Sequence, residues 1–114
     1  MKFRVFCKNK NEYEKDVCFL AENGELFTLH NNVLKPLLKE THTVEMSTGL
    51  RDKNGVEIYE NDVVVNRELE VASIQWASKD LAFYFCSITS DEFIGFDEIN
   101  VEEIEIIGNI HTEE

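Results

Sequence analysis

The sequence predicts a mainly β protein: a small barrel-like or sandwich domain of short antiparallel strands with little helix. Several short stretches alternate apolar and polar residues with the period of two that a half-buried strand requires. Turn-forming residues, Asn23-Gly24 and Asp52-Lys53-Asn54-Gly55 among them, separate these stretches. Turns recurring every eight to twelve residues or so are the rhythm of small all-β folds.

The elements follow in chain order. From Lys2 to Lys8 the residues Phe3, Val5 and Cys7 fall on one side and Lys2, Arg4 and Lys8 on the other, with Phe6 breaking the pattern. Val17 to Ala21 and Glu25 to His30 flank Asn23-Gly24, a dipeptide suited to the positive φ angles of a two-residue hairpin turn. Val33 to Leu38 is apolar but carries Pro36, which removes a ladder donor, and is expected to be an irregular connection. Thr41 to Met46 reads as a strand with Val44 and Met46 on one face.

The run from Met46 to Val65 then supplies two turns, Asp52 to Gly55 and Glu60 to Asp62, around Ile58-Tyr59, and a strand at Val63 to Val65. Val71 to Trp76 and Leu81 to Cys86 form a further hairpin through Ala77 to Asp80. Phe93 to Phe96 is a weaker strand, followed by a helical turn from Asp97 to Asn100. The closing strand, Glu103 to His111, puts Ile104, Ile106 and Ile110 on one side, with Gly108 there marking a bulge or a close approach.

Length and composition narrow the functional classes. With 114 residues, 43% of them apolar, the chain is expected to fold as one domain over residues 1–114, with no repeat, linker or low-complexity stretch to divide it. The net charge of −12 is unevenly placed: Met1 to Lys79 holds 13 acids and 11 bases, whereas Asp80 to Glu114 holds 10 acids and no Lys or Arg. Phosphate binding relies on Lys and Arg, so that last third is a poor nucleic-acid surface and a better one for a basic partner. The amino terminus, MKFRVFCKNK, carries charges where a signal peptide needs an apolar core, and no apolar run approaches the roughly 18 residues of a membrane helix. A cytoplasmic protein is expected, with no membrane partner.

Three pieces resemble one known family. The central TGLRDKNGVEIYENDVVV, Thr48 to Val65, is similar to the most recognisable stretch of the YopX-like family of phage and prophage proteins. The opening KFRVF, Lys2 to Phe6, resembles that family's first strand, and EIIGNIH, Glu105 to His111, its closing Ile-Gly-Asn-Ile motif. Asn61 stands where the family usually has Gly, and His111 where it usually has an aromatic residue. Asn tolerates left-handed backbone angles, so the turn survives the first change. The resemblance implies a small β-rich, phage-encoded protein without an established catalytic activity, and it transfers no site residues.

Each chemical constellation has a structural counterpart. His30, His42, His111, Cys7, Cys18 and Cys86 are the available soft metal ligands, but none forms a close pair, so no metal or cofactor is expected. The odd number and wide spacing of the cysteines exclude a disulfide framework and read as buried free thiols. The carboxylates Asp52, Glu57, Glu60 and Asp62 suit turn-holding as well as acid–base work, with no nucleophile or phosphate loop beside them, so no catalytic residue is expected. Near the centre, Arg51, Lys53 and Arg67, with Tyr59 and Trp76 as stacking groups, are a basic and aromatic set of the kind that binds single-stranded nucleic acid. Glu57, Glu60, Asp62, Glu68 and Glu70 surround those cations, and no nucleic acid is expected.

The leading expectation is therefore a non-enzymatic phage or prophage accessory protein, acting by protein binding or as a homo-oligomer that protects exposed strand edges, with no small-molecule ligand. The alternative is an acidic imitation of DNA that inhibits a host DNA-binding protein, built from Asp91, Glu92, Asp97, Glu98, Glu102, Glu103 and Glu105 on one face. An enzyme is third.

Overall fold

A computed structural model of the chain describes residues 2–66, 70–90 and 92–111. It is mainly β, as expected, built from antiparallel sheets, one of them curled into a half-barrel. The chain divides into two compact units, Phe3–Glu45 and Met1–Lys2 with Met46–Glu114.

The first unit opens with β1 (Phe3–Cys7) and β2 (Glu12–Tyr13), paired through Phe6↔Tyr13 and Cys7↔Glu12. β1 buries side chains on both faces, Val5 and Cys7 on one and Phe6 on the other, which explains the break in its alternation. The Phe6 ring meets the edge of Tyr13 at 5.1 Å between centroids. Then β3 (Cys18–Leu20), β4 (Leu26–His30) and β5 (Val33–Leu37) form a three-stranded sheet in that order.

Two expectations are corrected in this sheet. The β3–β4 turn is not a two-residue one: the Gly24 amide donates to the Ala21 carbonyl, the Ala21 amide donates to Glu25, and of the dipeptide only Gly24 has positive φ, at 90°. That is a type I turn closed by a left-handed glycine, a longer hairpin loop. Val33 to Leu37 is a strand despite Pro36, because β5 is the sheet's edge, where a missing amide donor is tolerated.

β6 (His42–Arg51) begins in the first unit and continues into the second. There it pairs with β7 (Glu57–Tyr59), and the chain proceeds through β8 (Asp62–Asn66), β9 (Glu70–Ala77), β10 (Ala82–Ser87), β11 (Phe93–Gly95) and β12 (Glu105–Asn109). The last five make an antiparallel sheet in the order β11-β10-β9-β8-β12. Its core is Ile58, Val64, Ala72, Ile74, Phe85 and Ile104, with Phe96 stacked on Phe85 at 4.4 Å. In place of one helical turn, two short 3₁₀ turns, Phe96–Glu98 and Val101–Glu103, lead into β12.

The β12–β8 register shifts between Ile106 and Gly108. The bulge reverses the side-chain parity beyond it, so Ile104 is buried while Ile110 is exposed, where unbroken alternation would have put it inside.

The central run is held by two buried carboxylates. Asp62 accepts from the Tyr59 amide at 2.8 Å, and between them Asn61 adopts φ 72°, the left-handed angle that Asn tolerates. Asp52 does more. Its Oδ1 accepts from the Asn54 and Val56 amides, both at 2.9 Å, and its Oδ2 from the Ile106 amide on β12 at 3.0 Å. Beside it the Lys53 amide donates to the Ile104 carbonyl at 2.9 Å. One side chain thus closes the turn and fixes the terminal strand.

Burial alone would raise the Asp52 pKa, but the Ile106, Val56 and Asn54 amides, helped by the Lys53 charge, outweigh it and hold the carboxyl below its ordinary value of 3.8. A depressed folded pKa contributes stability that is fully present above the unfolded value and is lost as pH falls through the folded one. Urea unfolding of Asp52→Ala is expected to show a loss of about 2–4 kcal/mol at neutral pH, because three backbone amides on two segments lose the buried carboxylate that accepts from them. Asp52→Asn should also flatten the fall in stability below pH 3.8 relative to the parent chain. An unchanged acid limb would contradict this assignment.

Candidate functional site

The first unit gathers its polar side chains at one end of β1. Cys7, Glu14 and His42 each present a ligand atom, and these atoms lie within 4.8 Å of one another. Backbone pairing sets them there. The Glu14 amide donates to the Val5 carbonyl and the Lys8 amide to the Thr41 carbonyl, both at 2.8 Å, so Glu14 and His42 flank Cys7 from either side. His42 Nε2 is 3.2 Å from Glu14 Oε2. Its Nδ1 is 3.1 Å from the Leu38 carbonyl and 2.8 Å from Thr41 Oγ1, contacts that fix the ring plane.

These groups line an open recess of about 450 Å³, together with Lys10, Asp16, Thr28 and His30. His30 Nδ1 pairs with Asp16 Oδ2 at 2.9 Å on its wall. Of the six histidines and cysteines singled out from the sequence, Cys7, His30 and His42 meet at this recess; Cys86 and His111 belong to the other unit. Burial pushes the Cys18 thiol up, against a lowering hydrogen bond from Thr28. Glu14 was missed by sequence reasoning. Each member comes from a different strand or strand end, and no local spacing announces residues that only strand register brings together.

Beneath the other face of the same strands lies a buried charge. Glu45 is 0% exposed, and its Oε1 accepts from Arg4 Nε at 2.7 Å and from the Tyr13 hydroxyl at 2.8 Å. The Arg4 guanidinium also sits 4.5 Å over the Tyr13 ring, a cation–π contact. The sequence pattern gave no sign of it, since Glu45 lies between Val44 and Met46 where a solvated residue is expected.

The three-stranded sheet has an unusual outer surface. Strand pairing puts Phe19, Phe27 and Pro36 in one row and Leu29 with Leu34 in the next, and the Leu29 amide donates to Val17. All six are apolar. Phe19 is 46% exposed and Leu34 56%, while Leu26 and Thr28 on the opposite face are buried. A solvated face of an antiparallel sheet is ordinarily polar.

The other residues weighed from the sequence serve local structure. The Ser47 hydroxyl and the Lys2 ammonium hold the Glu57 carboxyl below the usual range. Arg51 donates to the Gly55 carbonyl at 2.8 Å, and Lys53 pairs with Glu105 at 3.3 Å. Trp76 packs edge-on against Phe83 at 4.9 Å, and Glu60 and Tyr59 are half-buried. Glu92, Asp97, Glu98, Glu102 and Glu103 are exposed. Glu98 accepts from the Gly95 amide, and Glu103 from the Asn100 side chain. Arg67, Glu68 and Asp91 lie outside the described residues, as does the Glu70 side chain. Among the described residues no helix is long and apolar enough to cross a membrane.

Antiparallel sheets joined by tight polar turns, with a solvent-facing apolar sheet surface, make this a small all-β protein. The particular kind follows from comparison. The chain belongs to the YopX family, whose profile, described as YopX protein, matches residues 2–113. It is similar to the crystal structure of protein yopX from Bacillus subtilis, with a TM-score of 0.60 at 18% identity, covering 96% of this chain and 91% of that one. At that identity the likeness is one of fold. No curated protein sequence matches the chain.

The buried charge has a measurable consequence. Arg4→Met removes the guanidinium from a fully buried carboxylate and is expected to cost about 3–5 kcal/mol in urea unfolding. Pairing it with Glu45→Gln should recover a substantial part of that loss in a double-mutant cycle. Additive losses would show that the two groups are not coupled.

Proposed function

We propose that the protein is a cytoplasmic accessory protein of a phage or prophage that works by association, binding a second copy of itself through the apolar face of the β3–β4–β5 sheet. The observation that supports this is the row of Val17, Phe19, Phe27, Leu29, Leu34 and Pro36, six apolar side chains on one outward face with no charge among them. Apolar surface of that kind gains free energy when covered, and contiguous patches of it are characteristic of interaction sites.

Charge is compatible with a self-pairing. Phe3–Glu45 carries seven acids and six bases, a net −1, so two copies of this unit meet little mutual repulsion. Sheets packing face to face interdigitate side chains about 10 Å apart, the geometry that such a flat row suits. The edges are less inviting than the face: β5 carries Lys35 and Pro36, the residues with which natural edges are blunted. The proposed contact therefore uses the sheet face rather than a strand edge. The reading includes no catalysis, nucleic acid, membrane or small-molecule ligand.

A second reading draws on the exposed Glu92, Asp97, Glu98, Glu102 and Glu103: an acidic imitation of a phosphate array for a host DNA-binding protein. Two of these five already bond within their own turns, which leaves the apolar face as the stronger basis.

Light scattering coupled to size-exclusion chromatography separates the outcomes. The parent chain is expected to run at a multiple of its 13.2 kDa mass, and Phe19→Lys with Leu34→Lys to run as a folded monomer. A parent chain that stays monomeric at all accessible concentrations overturns the self-association.

A further inference from the structure

We infer that Cys7, Glu14 and His42 form a binding site for a divalent transition-metal ion of the zinc class. The donor set is a thiolate sulfur, an imidazole nitrogen and a carboxylate oxygen, the three ligand types that zinc takes in proteins. Their ligand atoms already stand within 4.8 Å of one another. Tetrahedral zinc, with bonds of about 2.0–2.3 Å, needs its donors about 3.5 Å apart. The His42 Nε2 to Glu14 Oε2 separation of 3.2 Å is close to that spacing, so closing the set requires mainly a small convergence of Cys7 Sγ.

The surroundings support the assignment on two counts. The His42 ring is oriented from behind: Nδ1 faces the Leu38 carbonyl and the Thr41 hydroxyl, which is how metal-bound histidines are usually anchored. Thr41 also donates its hydroxyl to the Leu38 carbonyl at 3.3 Å, and on the other side of the ring Nε2 stands within hydrogen-bond distance of Glu14. A metal ion held here takes the place of the proton that these two atoms otherwise share. The cysteine is buried while the histidine and carboxylate are half-buried, so the ion has protein on one side and the recess of about 450 Å³ on the other.

One group competes. Lys10 Nζ lies 4.0 Å from Glu14 Oε2, but its side chain is 62% exposed, and an exposed ion pair of that length is cheaply given up. Metal entry displaces the Cys7 thiol proton to solvent as the sulfur–metal bond forms, and leaves the fourth coordination position open toward the recess.

Cobalt(II) titration of the reduced full-length chain tests the site. A thiolate-to-cobalt charge-transfer band saturating at one equivalent is expected, with zinc displacing the cobalt. Cys7→Ser should abolish the band. His42→Gln and Glu14→Gln, whose substitutions leave the buried thiol in place, should each weaken zinc binding by more than the roughly 10–100-fold attached to outer-shell partners. Cys18→Ser should bind like the parent. In thermal unfolding, zinc should raise the midpoint of the parent and Cys18→Ser chains but not that of Glu14→Gln. Absence of the band in the reduced parent chain, or zinc affinity unchanged in both His42→Gln and Glu14→Gln, overturns the assignment.

Discussion

The second unit depends on a single carboxylate. Asp52 takes three backbone amides, two from its own turn and one from β12, more than fifty residues away in the chain. A buried charge without such donors costs several kcal/mol, whereas one that accepts amides from two segments makes their juxtaposition a condition of burial. The core then fills in around that junction. Ile58, which follows the Asp52 turn, and Ile104, which precedes the tethered Ile106, are both fully buried and pack in the same cluster. The bulge in β12 follows directly after the tethered Ile106 amide and re-aims the last isoleucines outward.

The first unit solves the same problem differently. Its strands are short, and β1 carries polar chemistry on both faces: Arg4 with Glu45 and Tyr13 on one, Cys7 with Glu14 and His42 on the other. Ionic groups are expensive to bury and need near-complete pairing. The Arg4 guanidinium gives Glu45 its partner on one face, and on the other Glu14 meets His42, where the proposed metal ion would sit. The apolar material this leaves over, Phe19, Leu29 and Leu34 above all, is presented outward, and the proposed self-association rests on that surface.

Much of the fold was legible because local rules and tertiary structure agree. The turn at Asp52 to Gly55, the Asn61 turn with its left-handed angle, and the β9–β10 hairpin follow from residues adjacent in sequence. Pro36 misled because a ladder donor lost at an edge costs little, and edge position is a tertiary property. Ile110 misled because one bulge inverts every side chain after it. The metal-ligand triad was illegible for a deeper reason. Cys7 looks like one more inward residue of an alternating strand, and Glu14 and His42 look like solvated polar residues; only register between three segments makes them neighbours. The apolar face was hidden likewise, since Phe19 and Leu29 lie in a hairpin whose faces the pattern does not distinguish and Leu34 in a segment expected to be an irregular connection.

Amide hydrogen exchange compared between dilute and concentrated protein tests the central claim, that the β3–β4–β5 face is where the protein associates. Protection of the amides of β3 and β5 should rise with concentration, while β8, β9 and β10, secured within their own sheet, keep the same protection. Exchange in β3 and β5 that is independent of concentration, or a concentration effect confined to the five-stranded sheet, would contradict it.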